Sequence, residues 1–210
     1  MIYYLMGKSA SGKDSIYHRL LEGGRFQRLV PYTTRPMREG EEEGREYHFL
    51  KEESFLHYVS MGKMAEYRVY DTVFGKWYYG TMLPEAEGRS LGTGAASYSG
   101  KPYLAIGTLE SFLQLKKKLG EDGITPIYLE VPDAVRLERA YHRQEGSGKK
   151  TKEEILRRFK ADDEDFSEDK LAQAGIRKRY PNTDLTECTK EIEQDTVLSE
   201  CTREIEKDTE

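Results

Sequence analysis

Near the N-terminus, Gly7-Lys8-Ser9-Ala10-Ser11-Gly12-Lys13 constrains the fold more than any other stretch. It follows an apolar run, Ile2-Tyr3-Tyr4-Leu5-Met6, and precedes Ser15-Ile16-Tyr17-His18-Arg19-Leu20-Leu21, where apolar residues return at helical spacing. A strand that stops at a glycine-bearing turn and restarts as a helix is suited to wrapping a polyphosphate. Glycines at 7 and 12 let backbone N–H groups curl around an anion with no Cβ in the way, and the helix start adds the positive end of its dipole. Lys13 can then reach the β- and γ-phosphates as a point charge. Asp14 stands where the common pattern has a Mg²⁺-binding hydroxyl, and Ser15 follows one residue later. The competing reading is a glycine turn that binds nothing.

The chain has 210 residues, enough for one α/β domain with inserted lobes. With 34% charged residues and a net charge of -5, it lacks the overall basic surface of a nucleic-acid binder. No stretch approaches the roughly 18 consecutive apolar residues of a membrane span, and the N-terminus opens on a strand pattern rather than a leader. The expectation is a cytoplasmic protein that meets neither membrane nor nucleic acid. Cys188 and Cys201 are the only cysteines, which argues against a disulfide framework and supplies no metal-ligand cluster.

After Glu22-Gly23-Gly24, residues Phe26 to Val30 read as a short strand that Pro31 ends. The polar loop from Tyr32 to Phe49 carries Arg35 and Arg38 three apart, and guanidinium forks at that spacing can clamp a second anion. Its pattern, T-T-R-x-x-R-x-G-E-x-x-G-x-E-Y-x-F, resembles the monophosphate-binding segment of the guanylate kinase family, at the family's distance behind a phosphate loop. The resemblance implies an α/β, P-loop NTPase-type three-layer fold with a central parallel sheet, an inserted GMP-binding lobe and a helical lid. It divides the chain into a core of residues 1–30, 82–135 and 159–195, a GMP-binding lobe 31–81, a lid 136–158 and a C-terminal tail 196–210.

The same resemblance implies that ATP is held by Gly7, Lys8, Ser9, Ala10, Ser11, Gly12, Lys13, Asp14, Ser15 and Asn182. GMP would be held by Arg35, Arg38, Glu41, Tyr47, Glu66, Tyr79 and Thr81. Lys13, Arg38, Arg143 and Arg158 would act on the transferring phosphoryl group. Mg²⁺ accompanies ATP, with no protein ligand assigned to it. The implied role of Glu66 agrees with the chemistry of guanine, whose adjacent N1–H and N2–H one carboxylate can accept together; adenine presents no such pair. Two places depart from the family. Pro31 stands where a serine near the guanine carbonyl is common, and proline offers no donor. Ala105 and Gly107 stand where the family's strand ends with two aspartates.

Helices are expected over Lys51 to Gly62, Leu109 to Leu119, from Asp133, over Glu153 to Phe166 and over Leu185 to Ile192. Strands are expected over Met64 to Tyr70, Trp77 to Thr81, Tyr103 to Ile106 and Ile127 to Val131, with a last strand near Arg179 to Leu185. Gly88, Gly92, Gly94 and Gly100 suggest a mobile connector between Pro84 and Pro102. Arg136, Arg139 and Arg143 share one helix face before a break at Gly146-Ser147-Gly148-Lys149-Lys150. Cys188 to Thr196 nearly repeats as Cys201 to Thr209, and the second copy reads as a tail. Three functions stay open: ATP-dependent phosphorylation of GMP to GDP, a weak or inactive kinase-like module that binds nucleotide or protein, and a kinase for another nucleoside monophosphate.

Overall fold

The computed structural model describes residues 1–72, 74–84, 100–143 and 149–207. Most of the connector expected between Pro84 and Pro102 lies outside these residues, as do Gly146, Ser147 and Gly148 of the expected helix break; Lys149 and Lys150, assigned to that break, instead open a helix. In chain order the elements are β1 (Ile2–Gly7), α1 (Lys13–Glu22), β2 (Gln27–Arg28), β3 (Tyr32–Thr33), β4 (His48–Phe49), α2 (Glu52–Ser60), β5 (Met64–Thr72), β6 (Gly75–Met82), β7 (Tyr103–Ile106) and α3 (Leu109–Leu119). A short 3₁₀ turn (Glu121–Gly123) leads to β8 (Ile124–Glu130), α4 (Asp133–His142), α5 (Lys149–Asp165), α6 (Glu168–Gln173), β9 (Tyr180–Pro181) and α7 (Leu185–Lys207). The fold is α/β: a central parallel five-stranded sheet in the order β2-β7-β1-β8-β9, and a separate mixed sheet in the order β4-β3-β6-β5. β1 is buried along its whole length, which is why it reads as an unbroken apolar run rather than an alternating one.

The chain divides into two compact units, Met1–Tyr4 with Gln27–Thr125, and Leu5–Phe26 with Pro126–Glu210. In the first, β5 and β6 form an antiparallel pair in which Glu66 faces Thr81 and Arg68 faces Tyr79. The register shifts between Met64 and Glu66. Met64 thereby joins Phe55 and Tyr78 in a buried cluster, packed by Leu50, Tyr58, Val59 and Met82, while Glu66 and Arg68 share the opposite face with Tyr79 and Thr81. Fully burying Phe55 alone contributes roughly 2 kcal/mol. α3 packs on β5 and buries Leu109, Phe112 and Leu115; the Thr108 side chain caps its N-terminus and Lys116, Lys117 and Lys118 complement its C-terminal dipole.

In the second unit, α1 buries Ile16, Tyr17 and Leu20 and packs on α7, which buries Cys188, Thr189, Ile192 and Thr196. The sequence reading ends this last helix at Ile192, but it continues to Lys207. No glycine or proline interrupts residues 193–207, and the repeated segment is as good a helix former as its first copy. An Arg25–Glu200 ion pair also anchors the added turns. Thirteen residues rotate an α-helix by about 220°, so the two copies present different faces: Cys188 is buried and Cys201 exposed.

Candidate functional site

The phosphate loop joins β1 to α1. Gly12 enters the helix with φ 85°, in the left-handed region, and a side chain there would collide with the Asn182 amide. Ala10 holds φ 59°, a strained value for a residue with a Cβ. Lys13 folds over the loop and donates from Nζ to the carbonyls of Gly7 at 2.7 Å and Lys8 at 3.0 Å. Burial lowers its pKa, against the opposing pull of Asp14 and Asp162. Asn182, at the end of β9, donates its amide to the Ser11 carbonyl at 2.8 Å and accepts from Arg139 on its own carbonyl at 2.9 Å. Ser11 is buried and its hydroxyl has no partner among the described residues. Asp14 and Ser15 stand exposed on the first turn of α1.

Acidic residues of α5 reach the same loop. Asp162 accepts the Ser9 backbone N–H at 2.8 Å and the Ser9 hydroxyl at 3.1 Å, and Lys8 pairs with Asp163 at 2.6 Å. Arg136, its side chain 1% exposed, donates to the Ser9 carbonyl at 3.0 Å and pairs with Asp133 and Asp162. Arg143 and Arg158 line a cavity of about 90 Å³ together with Ser9, Ala10 and Phe159. Arg157 and Arg158 hold the Glu154 carboxyl down at about 2. This half offers a lysine, two arginines and a helix N-terminus to an anion.

A second constellation lies in the other unit. Arg35, its side chain 4% exposed, makes a bidentate pair with Glu41 at 2.7 and 2.5 Å and lies over the rings of Tyr47 and Phe49. Glu41 also accepts the Arg38 backbone N–H at 2.8 Å, while the Arg38 side chain is exposed. Tyr47 meets Tyr79 edge to face at 5.9 Å. Glu66 is buried and accepts the Thr81 hydroxyl at 2.6 Å and Arg68 Nε at 3.2 Å. Burial raises its pKa, with Arg68 and Thr81 opposing. Tyr4, Pro31, Tyr47, Arg68, Tyr79, Thr81 and Gly107 line a cavity of about 180 Å³.

The guanylate kinase family profile matches residues 2–91, which include both the phosphate loop and the Arg35–Tyr47 segment. A guanylate kinase of Salinibacter ruber is 31% identical over 159 residues, spanning 75% of this chain and 77% of that one. The chain belongs to the guanylate kinase family. Relatives from Lactiplantibacillus plantarum and Legionella pneumophila, also guanylate kinases, are 33% identical over 150 residues and 38% identical over 89; those matches span 65% and 41% of the relatives' lengths. The crystal structure of a guanylate kinase from Anaplasma phagocytophilum shares the fold, with a TM-score of 0.64 at 23% identity over 95% of this chain and 85% of that chain.

The predicted residues gather in two groups: Gly7, Lys8, Ser9, Ser11, Lys13 and Asn182 around the loop, and Arg35, Glu41, Tyr47, Glu66, Tyr79 and Thr81 in the other unit. Among the described residues, no three His, Cys, Asp or Glu side chains are grouped to hold an ion. Ala105 and Gly107 add no oxygen, and a side chain at 107 would collide with the Tyr4 hydroxyl, itself bonded to Ser111. Mg²⁺ is commonly held by one or two protein oxygens together with nucleotide phosphates and water, so it would enter with the nucleotide substrate. Arg68, Arg136 and Asp162 were not among the predicted site residues. Arg68 stands two residues beyond Glu66 on a strand, a spacing that already places it on the same face. No comparable signal links Arg136 or Asp162 to Ser9. Among the described residues no helix is long and apolar enough to cross a membrane.

Proposed function

We propose that this chain transfers the γ-phosphoryl group of MgATP to GMP, giving ADP and GDP. The observation that supports it best is the presence in one chain of a lysine-bearing phosphate loop and an Arg35–Glu41–Tyr47 cluster beside an aromatic-walled cavity. In this reading the loop N–H groups and Lys13 hold the β- and γ-phosphates, and Arg143 and Arg158 neutralise charge on the transferring group. Arg35 and Arg38, with the Tyr47 hydroxyl, hold the acceptor phosphate. An acceptor oxygen attacks the γ-phosphorus while the bond from that phosphorus to the β–γ bridging oxygen breaks, leaving ADP. The acceptor phosphate is already anionic at neutral pH, so no general base is needed. Alignment and charge neutralisation supply the catalysis.

Ala105 and Gly107 favour the alternative of a weak or inactive binding module, because an acidic pair is missing there. The two readings separate on product formation. Chromatography of a mixture of protein, MgATP and GMP is expected to show GDP and ADP accumulating in equal amounts. Nucleotide binding without GDP would favour the module.

A further inference from the structure

We infer that Arg68 is a specificity-determining residue, selecting a purine acceptor by donating hydrogen bonds to the O6 and N7 atoms of its base. The assignment rests on the acceptor reading proposed above. Its starting point is two residues of the cavity wall that do not donate into it. Pro31 has no N–H and no polar side chain, and the hydroxyl of Thr81 gives its single proton to Glu66 at 2.6 Å. Neither can donate to a base carbonyl as the site stands. Glu66 itself is fully buried behind that wall, with one oxygen engaged by Thr81 and the other by Arg68.

Arg68 has the donors and is held to present them. Nε bonds Glu66 at 3.2 Å and Nη1 bonds the Thr108 hydroxyl at 2.8 Å, which fixes the guanidinium at both ends. Nη2 and the remaining N–H of Nη1 have no hydrogen-bond partner among the described residues, and the side chain lines the cavity. Strand alternation sets it on the same face as Tyr79 and Thr81. Two adjacent N–H groups of an arginine match two adjacent acceptors, and the O6/N7 edge of guanine offers that pair. Adenine turns an amino group toward the same place, setting donor against donor. Hypoxanthine shares O6 and N7 with guanine and lacks only the 2-amino group. Arg68 therefore favours 6-oxopurines as a class, and discrimination by the 2-amino group becomes secondary.

The test is calorimetric titration of the full chain with GMP, IMP and AMP, in wild type, Arg68→Met and Arg68→Lys. Arg68→Lys keeps a positive partner for the buried Glu66 while removing the fork, so a folding defect in Arg68→Met does not decide the outcome. Wild type should bind GMP about ten- to a hundred-fold more tightly than AMP, with IMP nearer to GMP than to AMP. Both variants should bring GMP and AMP to within about three-fold of each other. A merely structural arginine would weaken all three nucleotides together and leave their ratio unchanged, and that result overturns the assignment. So does IMP binding as weakly as AMP, which would give the choice to Glu66. If folded wild-type protein binds no GMP, the acceptor reading itself falls, and the role of Arg68 with it.

Discussion

Asp162 on α5 accepts the backbone N–H of Ser9 in the phosphate loop at 2.8 Å and the Ser9 hydroxyl at 3.1 Å. A carboxylate thus occupies donors that a phosphate oxygen would use, and Arg136 steadies it from behind. Asp162→Asn removes the charge while keeping the shape, so ATP should bind about tenfold more tightly. Titration with ATP checks this; unchanged affinity would show that the contact does not compete with nucleotide.

Lys13 donates to two loop carbonyls and sits in a buried position that lowers its pKa. Lys13→Met should lower kcat by about a thousand-fold with little change in GMP binding, because the charge it supplies matters most to the transferring phosphoryl group. Steady-state kinetics beside GMP titration measures both.

The Arg35–Glu41 pair carries a pH signature. Hydrogen bonds from Arg35 hold the Glu41 carboxyl at about 2, against its ordinary 4.5. A depressed carboxyl pKa stabilises the fold fully above its unfolded value, and the contribution is lost as pH falls from there toward the folded value. Glu41→Gln leaves the buried Arg35 guanidinium without its ion pair and should cost about 2 kcal/mol at neutral pH. Thermal unfolding followed down the pH scale should show the gap between wild type and variant closing between 4.5 and about 2.

Gly107 has no room for a side chain because the Tyr4 hydroxyl fills the space. Gly107→Ala should destabilise the protein by about 2 kcal/mol, in the manner of an overpacked core. Tyr4→Phe removes the colliding oxygen, and the double variant should recover part of that loss in a denaturant titration. Simple additivity of the two changes would disprove the steric coupling.

The phosphate loop was legible in the sequence because its chemistry is local: a buried strand, two glycines and a lysine within a few residues. The Arg35–Tyr47 segment was legible for the same reason. The clamp that Asn182 places on Ser11 spans 171 positions, and no local pattern could reveal it. Asp162 opens an acidic run, Asp162 to Asp165, whose composition alone is that of a solvated helix face, yet its side chain is only 14% exposed and holds the loop. Arg68 lay on a predicted strand, Met64 to Tyr70, but the Thr81–Glu66 hydrogen bond beside it joins two strands and no local pattern shows it. The end of α7 was misjudged because a near-duplicate segment looked like an appendage, whereas nothing in its composition stops a helix.

The most direct single measurement is a coupled assay of ADP release from MgATP by the purified 210-residue chain, run in parallel with GMP, dGMP, AMP and UMP. Turnover is expected with the guanine nucleotides, well above that with AMP or UMP, and no ADP release above background is expected without an acceptor. Absence of turnover with every monophosphate, in folded protein that still binds GMP, would contradict phosphoryl transfer and leave a nucleotide-binding module.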